Sequence, residues 1–393
     1  MHLEELHLVD VRSYDRADVL LEPGVSLFVG QNGQGKTNLL EAVQRVATGG
    51  SHRVSSDTPL VRVPADPDEQ PPDVGVIRAL LRTDEGRRRS VELEVGTGRR
   101  TRTRVDGQDV RRASDAVGVL RAVLFAPEDL AIVREQPAQR RDFLDDLLVQ
   151  RRPAYAATRG EYDRVLRQRN ALLKQLRKGG RGGGPTGDAD ATLAVFDQQL
   201  AHHGATVWAA RLAAVHALSG PVDRAYRTVA DRPEAVTLTY QSSTGEEVVG
   251  EVGTGVPDPG PLHERLVAAM DEVASDERRR GTTLVGPHRD ELLLQIGRMP
   301  ARGYASHGET WSLALALKLG VHDVVAEVGD SPIVLLDDVF AELDETRRAR
   351  LAEACADFDQ VIVTAAVEAD VPLDGVRYDV TLTDGRSVVR RRA

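Results

Sequence analysis

The sequence contains a single cysteine, Cys355, in 393 residues. One thiol excludes a disulfide framework and any metal site built from several cysteines, and such usage is typical of the reducing cytosol. No apolar run approaches the roughly 18 residues that a membrane-spanning helix requires. The first residues, Met1 to Glu5, lack the basic and apolar regions of a secretory signal. We therefore expect a cytoplasmic protein with no membrane partner.

Arginine-rich segments interrupt a chain whose net charge is −10. An acidic balance argues against constitutive binding to nucleic acid, but local basic faces can still hold phosphates. Residues 82–112 contain ten arginines against six acids, and residues 164–181 contain seven basic residues and no acid. Each segment is either a phosphate-binding surface or a solvated face, and the sequence alone does not separate the two. The candidate DNA contacts in these segments are Arg99, Arg100, Arg102, Arg104, Arg167 and Lys174.

Lysine is scarce, because only four of the 51 basic residues are lysines. One of them, Lys36, lies in a complete phosphate-binding loop formed by Gly30, Gln31, Asn32, Gly33, Gln34, Gly35, Lys36 and Thr37. The run before it is typical of a buried strand and the run after it of a helix, which is the context this motif requires. Inward-turned backbone N–H groups and the helix N-terminus suit a triphosphate. Lys36 is predicted to contact the β- and γ-phosphates as a catalytic residue, and Thr37 to ligate Mg²⁺.

Two adjacent carboxylates, Asp337 and Asp338, end the apolar run that begins at Ile333. Asp337 is predicted to hold the Mg²⁺ ion, and Asp338 to position or deprotonate the attacking water. The pair could instead be an exposed turn after a core strand, but the presence of Lys36 favours a shared site. Lys36 and Asp337 are 301 residues apart, so a large insertion must separate the two halves of this site.

The pattern of apolar residues predicts an α/β fold with an inserted helical lobe. Residues 1–135 are predicted to be mainly strands and to form the first half of a head with a mixed sheet and helices. Residues 136–280 are predicted to form a mostly helical inserted lobe with a short antiparallel arm, broken at the glycine-rich segment 179–188. Within the lobe, residues 221–260 are predicted to be a strand-rich insert. Residues 281–393 are predicted to complete the head.

A short phrase before the acidic pair and another after it resemble motifs of ABC-type ATPases. Ser306-His307-Gly308-Glu309 opens a helix upstream, and Leu343-Asp344 follows downstream. This order resembles the signature, Walker B and D-loop of that superfamily. Ser306 and Glu309 also match a helix capping box, and a capped helix N-terminus can bind an anion. The resemblance implies that Ser306 and Gly308 bind a γ-phosphate held by a second subunit, and that Asp344 belongs to the D-loop.

Five phrases together resemble the RecF family of bacterial DNA-repair ATPases. They are Gly30 to Asn38, Phe125 to Leu130, Arg140 to Asp145, Gly286 to Asp290, and Leu335 to Asp344. The first phrase adds Asn38 to the predicted nucleotide-binding residues. Because the phrases run from the N-terminal region to beyond residue 340, the resemblance covers most of the chain.

The resemblance implies an ATPase head similar to those of SMC proteins, with a helical second lobe. It implies ATP and Mg²⁺ as cofactors and an ATP-dependent homodimer that clamps single-stranded and gapped duplex DNA. It also implies that the protein acts together with RecO and RecR to help RecA load, in recombinational repair, replication and the SOS response. Hydrolysis is expected to be weak, stimulated by DNA, and to reopen the dimer, because the protein would act mainly as a switch.

Several positions depart from the patterns of related ATPases. The family signature usually reads Ser-Gln-Gly-Gln-Gln-Arg, whereas this chain has His307, Glu309, Thr310 and Trp311 at four of those six positions. No histidine follows the strand that ends at Thr364, where ABC transporters place a switch residue. The departures leave open how the signature contacts a nucleotide.

Other residues have two interpretations each. Arg12 and Tyr14 could contact phosphate and adenine, although capping or core roles are favoured for both. The phrase at residues 125–130 lies where related ATPases carry a Q-loop glutamine, and Glu128 or Asp129 is its candidate metal sensor. The chemistry of His288-Arg289 does not follow from the sequence, and a lone histidine is more often structural than catalytic.

Three other functions remain as alternatives. The wide motif spacing and the helical arm argue against the nucleotide-binding subunit of a transporter. The acidic pair argues against an SMC-like scaffold that binds ATP without turnover. An anti-phage effector would need an added nuclease or toxin domain, for which no residues are left over.

Overall fold

The structure, a computed structural model, describes residues 1–51, 53–54, 56–66, 68–179, 187–232, 234–244 and 256–392. The chain forms two compact units, which we call the head and the lobe. The head comprises Met1–Leu130, Pro221–Glu234 and Ser306–Ala393, and the lobe comprises Ala131–Gly220 and Ala235–Ala305. The domain boundaries predicted from the sequence, after residues 135 and 280, rest on the positions of the motifs and remain predictions.

Strands dominate the head, and helices dominate the lobe. The strands are β1 His2–Val11, β2 Tyr14–Leu20, β3 Gly24–Val29, β4 Val74–Arg82, β5 Arg88–Gly96, β6 Arg102–Val105, β7 Gln108–Asp109, β8 Ala122–Phe125, β9 Val236–Gln241, β10 Glu291–Ile296, β11 Met299–Pro300, β12 Ile333–Asp337, β13 Gln360–Ala365, β14 Val376–Thr383 and β15 Arg386–Arg391. The helices are α1 Lys36–Thr48, α2 Leu130–Arg134, α3 Pro137–Arg151, α4 Tyr155–Gly179, α5 Gly187–Val229, α6 Pro259–Arg280, α7 His307–Ala326 and α8 Glu345–Cys355.

The head contains two six-stranded sheets. The first is antiparallel, in the order β2-β1-β4-β5-β6-β7. The second has the order β15-β14-β3-β13-β12-β8, in which every pair is parallel except β14 with β15. All residues of β12 and β13 are buried, as is typical of parallel strands covered on both faces. Because parallel strands end at one edge, β3, β12 and β13 present their following residues together.

Helix α1 fastens the two head sheets into one core. It contacts β4 and β5 of the first sheet and β8, β12 and β13 of the second. Its buried apolar positions, including Leu39, Leu40, Val43 and Val46, follow the helical period. The helix ends at Gly49, whose φ of 76° is the left-handed conformation that commonly terminates helices.

Part of the predicted strand-rich insert is helical, so that prediction was wrong over residues 221–229. Helix α5 continues to Val229 even though Pro221 lies inside it. Val222, Tyr226 and Val229 recur at helical spacing and are buried, and Val222 packs against Gly320. This apolar stripe outweighs the single backbone hydrogen bond that proline removes. Strand β9 does form, while residues 245–255 of the insert and most of the glycine-rich break lie outside the described residues.

The lobe contains the antiparallel sheet β11-β10-β9 and helices α3, α4 and α6, with the first part of α5. Arg169 of α4 is buried and donates to Asp197 (2.6 Å), Glu277 (2.6 Å) and the Thr283 hydroxyl (2.9 Å). These bonds offset the cost of removing the Arg169 charge from water. Over the described residues, no helix is long and apolar enough to cross a membrane.

We expect Arg169→Ala to lower the free energy of unfolding by about 3 to 5 kcal/mol, because the buried Glu277 carboxylate would lose its cation. Arg167→Ala, two residues away on the exposed face of α4, is the matched control and should change it by less than about 0.5 kcal/mol. Urea unfolding followed by circular dichroism measures both. Equal effects of the two substitutions would contradict the buried network.

Candidate nucleotide-binding site

The predicted phosphate loop joins β3 to α1, in the context that the sequence indicated. Gly33 and Gly35 have φ of 81° and 104°, a region that side chains disfavour. A methyl group on Gly35 would also clash with Ser387 and would lie 2.9 Å from the Ser13 hydroxyl. Glycine at position 35 is therefore required by both conformation and space.

Residues outside the motif hold the loop in shape. The Tyr14 hydroxyl donates to the Gly35 carbonyl (3.0 Å), and the Ser387 hydroxyl donates to the Gln34 carbonyl (2.7 Å). Burial raises the pKa of Tyr14, so this group stays a neutral donor. Arg12 forms a two-bond pair with the buried Glu41 of α1 at 2.6 and 2.8 Å. Tyr14 thus lies in the core beside the loop, and Arg12 is held to helix α1 by an ion pair.

Lys36 is almost fully buried, and its ammonium group points into the loop. Its Nζ atom donates to the carbonyls of Gly30 (2.8 Å) and Gln31 (3.3 Å) and lies 3.8 Å from Asp338 Oδ2. A cleft of about 370 Å³ opens beside it. The lining residues are Asn32, Gly33, Gly35, Lys36, Thr37, Asn38, Arg53 and Asp338. Two cations and the turned backbone of the loop make this cleft suitable for phosphates.

The acidic pair meets the phosphate loop, as the sequence predicted for Asp337 and Thr37. Asp337 Oδ1 accepts hydrogen bonds from Thr37 Oγ1 (3.1 Å) and from Thr364 Oγ1 (2.6 Å). Thr364 Oγ1 in turn accepts from the backbone N–H of Asp338 (2.9 Å). The parallel register pairs Asp337 with Thr364, which explains the contact. In the sequence, Thr364 is the polar residue nearest to the position where ABC transporters place a switch histidine. In the structure, it is hydrogen-bonded to both Asp337 and Asp338.

Asp338 has the properties of a proton acceptor. Its backbone is left-handed, with φ of 49°, a conformation that aspartate and asparagine tolerate better than most residues. Its Oδ1 atom is buried and has no hydrogen-bond partner among the described residues. Burial raises the pKa of Asp338, with Lys36 acting against this rise and Asp337 adding to it. A partly exposed carboxyl group with a raised pKa suits a base that receives a proton from water.

The donor set fits a Mg²⁺ ion that arrives with a nucleotide. Within the described ranges, no group of three or more His, Cys, Asp or Glu residues could hold a metal alone. The Thr37 hydroxyl and the Asp337 carboxylate nevertheless lie together beside the cleft. Mg²⁺ is often bound by one or two protein oxygens together with phosphates and waters. When bound, it would neutralise phosphate charge next to Lys36.

The signature residues begin helix α7 as the capping box predicts. The Ser306 N–H donates to Glu309 Oε2 (2.8 Å), and the Glu309 N–H donates to Ser306 Oγ (3.3 Å). Trp311 is buried, packs edge-on against Phe125 at 5.5 Å between ring centroids, and donates to His307 Nε2 (3.1 Å). Trp311 is therefore a core residue, whereas Ser306 and His307 are exposed at the start of the helix.

The nucleotide cleft does not include the signature or the D-loop of the same chain. None of its lining residues is Ser306, Gly308 or Asp344. Asp344 caps helix α8 and accepts a hydrogen bond from the Arg347 N–H (2.9 Å). Asp129 likewise has a local role, because it accepts from the Ala126 N–H and pairs with Lys318 of α7 (2.8 Å).

The candidate DNA contacts in the head differ in their pairing. Arg102 pairs with Asp109 (2.7 Å), and Arg104 pairs with Glu92. The stem of Arg99 covers Gly96. Arg100, by contrast, lines an open groove of about 250 Å³ with Arg102, Thr101, Thr103, Val110, Arg111 and Ala113. Among the described residues no carboxylate pairs with Arg100, so its charge is the most available of the four.

In the lobe, the basic segment divides between two faces of α4. Arg167 and Lys174 are exposed and lie seven residues apart, which places them on one side of the helix. Arg169 between them faces the interior. The basic residues of this segment that the structure describes therefore do not form one continuous surface.

The phrase that contains His288 and Arg289 forms a structural turn in the lobe. The Tyr162 hydroxyl donates to His288 Nδ1 (2.6 Å), and the Arg289 guanidinium donates to the Thr283 carbonyl (2.9 Å). Burial lowers the pKa of His288 to about 4, so the ring is neutral at pH 7. The neighbouring Asp290 accepts from the Tyr240 hydroxyl (2.8 Å).

Comparison with known proteins gives matches over almost the whole chain. The family model described as the RecF/RecN/SMC N terminal domain matches residues 2–384. A protein of Streptomyces avermitilis named DNA replication and repair protein RecF is 50% identical over 97% of this chain and 98% of its own. A protein of the same name from Kineococcus radiotolerans is 50% identical over 99% of both chains.

Solved structures are similar over the same extent. One described as the recombination mediator protein RecF with ATP in the RecFOR pathway has a TM-score of 0.84 at 27% identity, covering 100% of this chain and 97% of its own. An Smc head bound to the C-winged helix domain of ScpA has a TM-score of 0.58 at 15% identity, covering 100% of this chain and 98% of its own, and shows the likeness of fold alone. The predicted ABC-type, SMC-like α/β fold is confirmed.

We expect Thr364→Val to weaken Mg²⁺-dependent nucleotide binding by about 10- to 100-fold, because Asp337 would lose a partner that orients it. Binding without Mg²⁺ should change little. Titration calorimetry with and without Mg²⁺ measures both, and Thr364→Ser, which keeps the hydroxyl, is the control. Unchanged binding of the valine variant with Mg²⁺ would show that the hydroxyl does not support the metal.

Proposed function

The chain belongs to the RecF family, and on that premise we propose that it is an ATP-dependent DNA-binding protein of recombinational DNA repair and replication-fork maintenance. One observation carries the proposal. The Thr37 hydroxyl and the Asp337 carboxylate, 300 residues apart in the chain, meet at 3.1 Å beside a cleft suited to phosphates. Family membership separates this function from a transporter subunit or an anti-phage effector.

Each residue of the cleft has a role in this proposal. Gly30 to Asn38 would wrap the phosphates of ATP, with Lys36 exchanging its carbonyl partners for phosphate oxygens. Thr37 and Asp337 would hold Mg²⁺. Asp338 would position a water and accept the proton that this water loses. We expect slow turnover that DNA stimulates.

A second copy of the chain would complete the site. Ser306 and Gly308 are absent from the lining of their own cleft, which supports their predicted use in trans. Ser306 is exposed at the first turn of α7, where a helix N-terminus favours an anion. In this proposal, ATP joins two heads, with Asp344 of each D-loop at the junction, and hydrolysis separates them.

The dimer would bind DNA through basic side chains that are not neutralised within the chain. Arg100 in the head and Arg167 and Lys174 in the lobe are exposed, and no ion pair holds them among the described residues. Single-stranded DNA and gapped duplexes are the proposed targets. The RecFOR pathway named for the similar structures supports RecO and RecR as partners. The proposal also places the protein in the cytoplasm, with RecA acting later.

We expect Asp338→Asn to reduce ATP hydrolysis by about 100-fold or more while ATP still drives dimerisation, because only the proton acceptor is lost. Asparagine tolerates the left-handed backbone at this position, so the fold should persist. Phosphate release and light scattering measure the two effects. Lys36→Arg is the contrasting variant and should lose hydrolysis or nucleotide binding altogether. Full activity in either variant would refute the site assignment.

For DNA, we expect ATP to strengthen binding to gapped duplexes, with affinity falling steeply as salt rises. Arg100→Gln and Arg167→Gln should each lower the salt slope by about one, since each removes one phosphate contact. Arg102→Gln is the matched control because Asp109 already neutralises that arginine. Gel shifts on single-stranded, duplex and gapped DNA across a salt series provide the measurement. A shallow slope that ATP does not alter would contradict the DNA clamp.

A further inference from the structure

The first turn of α7 carries a negative charge at the place where the proposed function requires an anionic γ-phosphate to bind. The Glu309 carboxylate accepts a hydrogen bond from the Ser306 N–H at 2.8 Å. Its bonds to Ser306, with Arg232 and Arg347 nearby, hold the pKa of Glu309 below its usual range, so it is ionised at neutral pH. A carboxylate beside Ser306 and Gly308 would repel a phosphate unless another group offset it.

The Arg347 guanidinium lies directly against this turn. A methyl group on Gly308 would fall 2.7 Å from Arg347 Cζ and 2.9 Å from its Nη1 atom. Glycine at position 308 leaves room for this approach. The Arg347 side chain is 20% exposed, so the guanidinium is partly desolvated.

Two carboxylates hold Arg347 in place and leave one of its donors unused. Its Nη1 atom pairs with Asp344 of the D-loop, and its Nη2 atom pairs with Asp231. Its Nε atom is buried and has no acceptor among the described residues. The guanidinium is therefore held through its two terminal nitrogens and is not fully paired within the described part of the chain.

We propose that Arg347 is a phosphate-binding residue of the shared ATP site, acting in trans with Ser306 and Gly308. It would offset Glu309 and bind the γ-phosphate of the nucleotide that a second copy holds. Arginine suits this role because its planar fork matches phosphate oxygens. The inference rests on the proposed ATP-dependent dimer. In the monomer, Asp344 and Asp231 hold the guanidinium beside the first turn of α7. When ATP joins two heads, the γ-phosphate would replace one of these two carboxylates.

A purely structural role for Arg347 makes different predictions, and Arg350 provides the matched control. Arg350 lies one turn further along α8 and also binds Asp231, at 3.2 Å, and the Ala230 carbonyl. Loss of Arg350 therefore disturbs the same anchor without removing charge from Gly308. If Arg347 only fastened α8, both substitutions would weaken dimerisation alike.

The first experiment compares wild type, Arg347→Gln, Arg350→Gln and the double variant Arg347→Gln/Glu309→Gln. Binding of a fluorescent ATP analogue to dilute monomer reports the cleft and the fold, and light scattering reports ATP-dependent dimerisation. Arg347→Gln should weaken dimerisation at least tenfold with monomer affinity within twofold of wild type. Arg350→Gln should dimerise normally, and the added Glu309→Gln should restore at least part of the loss.

The second experiment mixes a Lys36→Ala copy with an Arg347→Gln copy. If Arg347 acts in trans, the mixed dimer has one intact site, formed by Lys36 of one copy and Arg347 of the other. Dimerisation should then exceed that of either variant alone. If Arg347 acts on its own cleft, both sites are broken and no recovery occurs.

Several results would overturn the assignment. A charge-compensating role in trans would be excluded if Arg347→Gln dimerised normally or if Arg350→Gln lost dimerisation to the same extent. It would also be excluded if the added Glu309→Gln restored no dimerisation, or if mixing the two variants gave no recovery. A wild-type chain that binds ATP but stays monomeric would instead refute the proposed dimer, and this inference with it. The wild-type measurement thus separates the two failures.

Discussion

The pairing of β13 with both β3 and β12 is the constraint on which the whole site depends. Through β13, Thr364 lies in register with Phe28 of β3 on one side and with Asp337 of β12 on the other. The three parallel strands consequently end at the same level, and the phosphate loop meets the acidic pair. Chain length between the strands is then irrelevant to the site, so a lobe can be inserted without moving its chemistry.

Features carried by contiguous residues could be predicted from the sequence. The strand, loop and helix around Lys36, the acidic pair and the capping box at Ser306 all follow from local patterns. Residues that act through tertiary contacts could not. Thr364 contacts Asp337 because their strands pair in register, and Arg347 of α8 lies against Gly308 of α7. Neither contact has a local signature in the sequence. The helical course of residues 221–229 depends likewise on tertiary packing, because burial of Val222 and Tyr226 stabilises a helix that contains Pro221.

Some arginines of this molecule are buried and structural, whereas others are exposed on the surface. The amino-acid composition alone does not distinguish the two groups. Arg169 and Arg211 are buried and fully paired, the latter with Asp145 at 2.8 and 2.9 Å. Arg100 and Arg167 are exposed. A dense basic segment such as residues 164–181 therefore mixes structural and surface charges. Because burial depends on which face of a helix packs inward, the number of arginines overstates the charge available to a ligand.

The left-handed backbone of Asp338 has a consequence for how this site can change over evolutionary time. Few residues accept φ of 49°, and aspartate, asparagine and glycine are the main ones. Substitutions that survive folding at this position are thus confined to a very short set, and only one member carries a carboxylate. A lineage that exchanges the carboxylate for asparagine or glycine would therefore lose the proton acceptor and keep a folded head.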